Sequence, residues 1–318
     1  MPRVITLGES MVVFTPDGYG ALRYENQFKA RLAGAESNTA IGLSKLGIEA
    51  SWMSRVGSDE FGHYVLNMIR AEGVDTKAAV VDPEHRTGIM FKQREYGGET
   101  TVFYYRENSA ASHLEPEDLK TEWFQNADVL HITGITPVLS DSCLKTIQKA
   151  VEMAKENGVK VSFDPNIRKK LMHGKDYTEF FRQVTFAADI VLLGLDEADY
   201  LFGIHEIKDV LKILFEQGQA QYVAVKDGGN GAVVASRECP EGLRIPPYPI
   251  KPLETVGAGD GFNAGFLAGI LQGRSLEEAG RMGGICGAMA TQTLGDCDGY
   301  PDADRLERML KGQAEVYR

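Results

Sequence analysis

Leu253-Glu-Thr-Val-Gly-Ala-Gly-Asp260-Gly-Phe-Asn-Ala-Gly-Phe-Leu-Ala-Gly-Ile-Leu271 is the stretch whose reading decides the fold. Phe262, Phe266 and Ile270 recur every fourth residue with Leu267 and Leu271 beside them, so the segment after Gly259 is expected to be a largely buried helix stopping near Gly273. Gly257-Ala258-Gly259 leaves almost no side chain ahead of it. Unpaired N–H groups and the positive end of the helix dipole can therefore approach an anion closely. Asp260 follows in the first turn, where a carboxylate caps a helix and can also take a proton from a hydroxyl facing that anion. The plain alternative is a tight turn with an N-cap Asp. A dinucleotide fingerprint fits poorly, because its third glycine would fall at Phe262 and the stretch does not follow a first strand.

Working outward, the 318 residues are 43% hydrophobic, enough for a full core and for one large domain or two. A formal charge of -11 argues against nucleic acid or an anionic membrane as partner, since both are bound by releasing counterions with Lys and Arg. Cys143, Cys239, Cys286 and Cys297 show neither metal spacing nor a secreted disulfide framework. The chain opens on a strand instead of a signal peptide, and no apolar run reaches about 18 residues. The expectation is a soluble cytoplasmic protein.

Val4 to Leu7 is a short strand that leaves the sheet early through Met11 to Phe14. Gly34-Ala35-Glu36-Ser37-Asn38 precedes an apolar helical pattern; Ser37 or Asn38 is either an N-cap or, with the nearby amides, a contact for a polyhydroxylated ligand. Residues 89–96 and 100–106 alternate around Gly97-Gly98, a hairpin signature that ends in Tyr104, Tyr105 and Arg106. It is either a packing ribbon or a lid whose Arg106 grips an anion. After Pro116, β-branched strands at 128–134, 160–164, 189–193 and 222–226 alternate with helical runs at 142–157, 177–188 and 195–202. Such alternation implies a parallel sheet covered on both faces, with ligands at the strands' C-terminal ends. The segments just past those ends are Asp164 to Arg168, Gly194 to Glu197 and Lys226 to Gly231.

Thr255 to Asp260, Gly34 to Asn38 and the α/β core with its hairpin together resemble the ribokinase-like (PfkB) carbohydrate kinase family over essentially the whole chain. The resemblance implies a ribokinase-like α/β fold: one domain over residues 1–318, its mainly parallel sheet covered by helices on both faces, with a small β-sheet lid from about 12–30 and 86–112. It implies that Asp260 deprotonates a primary sugar hydroxyl while Gly257, Ala258 and Gly259 hold the transferring phosphoryl group. ATP would lie over Asn166, Arg168, Gly194, Lys226, Gly228, Gly231 and Gly284, with Mg²⁺ bridging its phosphates through waters near Glu197.

Tyr104 to Arg106 with Asp164 to Arg168 resembles the branch of the family that acts on the acid sugar 2-keto-3-deoxygluconate. The sugar would meet Gly34, Ala35, Glu36, Ser37, Asn38, Met90, Tyr104, Tyr105, Arg106, Arg168, Asp260 and Asp296. Two arginines suit a sugar carboxylate; Arg168 is assigned to the substrate, with ATP phosphate as its alternative contact. Glu254, Gly194 and Gly284 depart from the family's usual Asp, Asn and Asn. The longer Glu254 bears on a monovalent-cation site, and Gly194 on the metal role of Glu197. A kinase of a neutral sugar such as fructose or ribose is the close alternative; a non-catalytic sugar sensor and an oxidoreductase are distant ones. An aromatic lid edge also leads to an expected homo-oligomer, a dimer or larger.

Overall fold

The computed structural model describes residues 3–96 and 100–312. These residues form β1 (Arg3–Leu7), β2 (Met11–Pro16), β3 (Phe28–Ala33), β4 (Glu49–Gly57), β5 (Ala79–Asp82), β6 (Ile89–Arg94), β7 (Thr100–Tyr105), β8 (Val129–Thr133), β9 (Lys160–Asp164), β10 (Ile190–Gly194), β11 (Tyr222–Lys226), β12 (Ala232–Ser236) and β13 (Cys239–Ile245). One sheet has nine strands in the order β13-β12-β11-β10-β9-β8-β1-β4-β5, parallel from β11 to β5. The two strands at its other edge run antiparallel.

The two-residue period of β1 explains why both faces of the sheet are covered. Val4 joins an apolar layer with Trp52 and Phe266, whereas Ile5 and Leu7 join a second layer with Phe163 and Phe181. As expected, the chain then leaves this sheet at once. β2 belongs to a four-stranded sheet ordered β3-β2-β6-β7. Its β6–β7 hairpin pairs antiparallel from Ile89 opposite Tyr105 to Arg94 opposite Thr100. The Gly97-Gly98 turn lies outside the described residues.

The decisive helix runs Ala258–Leu271, and its N-cap is Gly257 at φ 83°. Asp260 does not cap it, a correction to the expectation, because that carboxylate is turned toward another helix. The apolar pattern described one buried face; glycines supply another. A Cβ on Gly265 would stand 2.5 Å from the Met282 carbonyl oxygen, and one on Gly269 2.6 Å from the Cα of Ala279. Only bare backbone lets helix Leu276–Ala290 press so close.

Candidate active site

Register sets the floor of the site. Thr133 lies opposite Asp164 and Gly194 opposite Lys226, so the C-terminal ends of β8 to β11 share one edge. Asp164 Oδ2 accepts hydrogen bonds from Lys226 Nζ at 2.7 Å and Asn263 Nδ2 at 2.6 Å. Its Oδ1 accepts from the Asn166 N–H at 3.1 Å, holding Asn166 at φ 37° and turning the chain toward Arg168. Glu197 accepts from the N–H groups of Ile167 (2.8 Å) and Gly194 (2.7 Å), tying the two loops together. Burial pushes Glu197 up to about 7, with Asp164 adding to the rise. Burial works against the Lys226 charge, but Asp164 and Glu197 outweigh it and hold the ammonium above its ordinary range.

Asp260 is 9% exposed, and its Oδ2 accepts from Asn38 Nδ2 at 2.8 Å. Burial is the main force raising its pKa to about 7; the Asn38 bond opposes the rise, and Asp164 and Asp296 add to it. Beside it the Ala258 N–H closes a long 3.3 Å turn onto the Thr255 carbonyl. The Gly259 and Asp260 N–H groups have no acceptor among the described residues, as expected for the first turn of a helix.

Opposite this edge, strand alternation points Met90, Lys92 and Tyr104 inward from the small sheet. Lys92 Nζ lies 2.7 Å from Asp296 Oδ1. Arg106 pairs with Glu9, whose other oxygen accepts from Ser109 Oγ at 2.5 Å. Burial raises Glu36 to about 7 while Thr133 and Thr136 donate to its Oε1 at 2.6 and 3.0 Å. Three buried polar atoms on residues that line this space lack hydrogen-bond partners among the described residues: Asn38 Oδ1, Glu36 Oε2 and Arg106 Nε. Unmet groups of this kind cost stability unless a ligand satisfies them.

Two cavities meet here. The first, about 530 Å³, gathers Gly34, Ala35, Glu36, Asn38, Met90, Tyr104, Arg106, Asn166, Arg168, Glu197, Gly257, Asp260 and Asp296. The second, about 510 Å³, is lined by Gly228, Gly231, Ala258, Gly284, Tyr248 and four prolines. Lys226, Thr255 and Gly259 line both, so a group passing between them crosses the Gly259 N–H beside Asp260. Each volume falls within the roughly 300–1,000 Å³ usual for small-molecule sites.

Three expected contacts are not brought in. Ser37 is fully buried, with its hydroxyl bonded to Ser10 and the Gly34 carbonyl, because the helix turn carries it behind Asn38. Tyr105 is 64% exposed on the outer face, since strand neighbours alternate and Tyr104 takes the inner one. Gly194 lines neither cavity and instead starts helix Leu195–Phe202, donating to Glu197. Ala258 lies on the second cavity's side only, so the amides facing Asp260 are those of Gly259 and Asp260.

Lys92, Glu9 and Asn263 also stand in the site, outside the contacts expected from sequence. A Lys at an inward position of an alternating strand, a Glu two residues past the first core strand, and an Asn inside an otherwise apolar helix were the available signals.

A family model described as pfkB family carbohydrate kinase matches residues 1–303. The chain is 36% identical to 2-dehydro-3-deoxygluconokinase of Bacillus subtilis, over 99% of this chain and 97% of the relative. Among solved structures it resembles a putative ribokinase II from E. coli in complex with ATP and Mg²⁺, at TM-score 0.89 and 25% identity, covering 98% of this chain and 100% of that one. It also resembles a fructokinase double mutant from Vibrio cholerae bound to fructose, ADP and potassium, at TM-score 0.86 and 27% identity, with 98% of each chain covered. No helix among the described residues is long and apolar enough to cross a membrane.

Proposed function

We propose a function from a fixed premise: the chain belongs to the pfkB family of carbohydrate kinases. It transfers the γ-phosphate of ATP to the terminal C6 hydroxyl of 2-keto-3-deoxygluconate, giving the 6-phosphate and ADP. The observation that carries this reading is a buried Asp260 beside free amides where two cavities join. The sugar occupies the first cavity and ATP the second. Asp260 takes the hydroxyl proton as the sugar oxygen bonds to the γ-phosphorus and the bond to the β-phosphate oxygen breaks. The Gly259 and Asp260 amides hold the charge that develops on the moving group, with Gly257 shaping their turn.

Lys226 faces both ligands and stabilises the transferring phosphoryl group from the side of Asp164. No group of three or more His, Cys, Asp or Glu among the described residues is placed to hold a metal, and both Glu197 oxygens already accept backbone hydrogen bonds. That donor set fits Mg²⁺ carried on ATP phosphates and met through waters near Glu197, where it would neutralise phosphate charge. Arg168, exposed at the rim and in no ion pair among the described residues, meets the sugar carboxylate, and Arg106 offers its unpartnered Nε. Self-association through the small sheet's outer face, where Tyr105 and Phe103 are exposed, belongs to the same reading; a monomer in sedimentation would remove that part.

One observation favours a second reading, a neutral-sugar kinase: Glu9 already offsets the Arg106 charge. A coupled assay across sugars tests both. Turnover of fructose or ribose as fast as of the acid sugar would remove the acid-sugar assignment. Asp260→Asn should lower kcat by about 10³-fold while sugar still binds by calorimetry. An unchanged rate would leave Asp260 without its assigned part.

A further inference from the structure

Lys92 is 1% exposed and comes from the small sheet, yet its ammonium sits between two carboxylates of the catalytic side. Nζ is 2.7 Å from Asp296 Oδ1 and 3.1 Å from Glu254 Oε1. Those acids flank the turn that presents the phosphoryl-binding amides. Glu254 lies three residues before Gly257, and the N–H groups of Leu253 and Glu254 are pinned to the Thr291 carbonyl at 2.8 and 3.2 Å. From the other side, the Asp296 carbonyl occupies the space that a Cβ on Gly257 would need.

Neither Glu254 oxygen has an aligned hydrogen-bond donor, and the side chain is 6% exposed. Without a cation, two buried carboxylates would push apart the backbone segments that hold Gly257 in its left-handed conformation. Burial opposes the Lys92 charge, but Asp296 and Glu254 overcome it and keep the ammonium protonated above its ordinary range. The potassium seen in the fructokinase neighbour prompts the question of a metal ion here. A second positive charge about 4 Å from Nζ would meet roughly 4 kcal/mol of repulsion at a near-surface dielectric. The cation these acids need is already part of the chain.

We propose that Lys92 is a positioning residue, a built-in monovalent cation that links the small sheet to the Gly257 turn and makes turnover independent of added alkali-metal ions. This rests on the kinase reading for its readout but is indifferent to which sugar is used.

The test measures ATP-dependent turnover and thermal melting in potassium, sodium or tetramethylammonium salts at one ionic strength. For the unsubstituted protein, both rate and Tm should agree across the three. Lys92→Met should lower kcat by about 100-fold in tetramethylammonium, leave the KM for ATP nearly unchanged, and regain rate with potassium or ammonium. A purely structural loss would not be rescued by a small cation. An unsubstituted rate that rises about tenfold or more with potassium would overturn the proposal, as would a Lys92→Met enzyme at full rate in tetramethylammonium. Should Lys92→Met fail to fold, the unsubstituted arms decide alone. If no sugar is phosphorylated, the kinase reading fails while melting still judges Lys92: a potassium-dependent rise in Tm shows an ion bound to the folded state and sinks it, and equal melting supports it.

Discussion

The two sides of the cleft hold their polar groups in different ways. On the nine-stranded sheet's edge, backbone register and helix ends fix the chemistry: Thr133 and Asp164 align by pairing, and the Gly259 and Asp260 amides point outward because a helix starts there. On the four-stranded sheet, inward side chains are fixed by charge partners that belong to the other side. Lys92 reaches Asp296 and Glu254, and Arg106 reaches Glu9. The edge thus supplies its reacting groups from its own backbone and helix end, whereas the small sheet reaches across by ion pairs, one of which braces the Gly257 turn. Changes at the Gly257 turn or at the Lys92 that braces it should strike kcat, and changes at the arginines facing the sugar should strike sugar selection.

After Asp260→Asn, the largest expected break is Gly257→Ala. The φ of 83° and the Asp296 carbonyl leave no place for a methyl group, so the amides shift and kcat should fall about 100-fold with sugar affinity little altered. A matching rise in KM alone would erase the contrast. Next come the arginines: Arg168→Ala should raise KM for the acid sugar by about 10- to 100-fold and leave a neutral sugar unaffected. Arg106→Ala should do less if Glu9 holds most of its charge. Equal losses would mean that the ion pair opens when sugar binds.

A smaller effect is the acid limb of kcat/KM. Asp260 accepts a proton only when ionised, and burial places its pKa near 7, so the rate should fall about tenfold per pH unit below that value. A limb near pH 4 would mean that the carboxylate is solvated in the working enzyme. Smallest is Glu36→Gln, read by melting. Its folded pKa of about 7 lies above the unfolded value, so the neutral form stabilises the fold at low pH and that contribution is lost as pH rises through 7. The substituted protein should therefore lose less Tm between pH 5 and 8, by a few degrees.

Much of the scaffold was legible. Strands at 160–164 and 222–226 and the helix at 195–202 fall where the pattern put them, because short β-branched runs and capped helices are local signals. The Ala258 to Leu271 helix was found from its apolar repeat, but the glycine face against Leu276–Ala290 was not. A glycine leaves no periodic mark of what it touches. Likewise Tyr105 was grouped with Tyr104, although the strand period alone separates them.

The sequence by itself determined the alternating α/β order, the glycine turn ahead of a buried helix and the carboxylate at its start, since each follows from neighbours within a few residues. Only the tertiary structure decided that Asn38 holds Asp260, that Glu9 takes Arg106, and that Lys92 lies between Glu254 and Asp296. These partners stand from 97 to 222 residues apart. Local propensity carries no information about which buried charge must meet which. That choice is made when packing removes water and leaves each charge only the partners the fold has brought near.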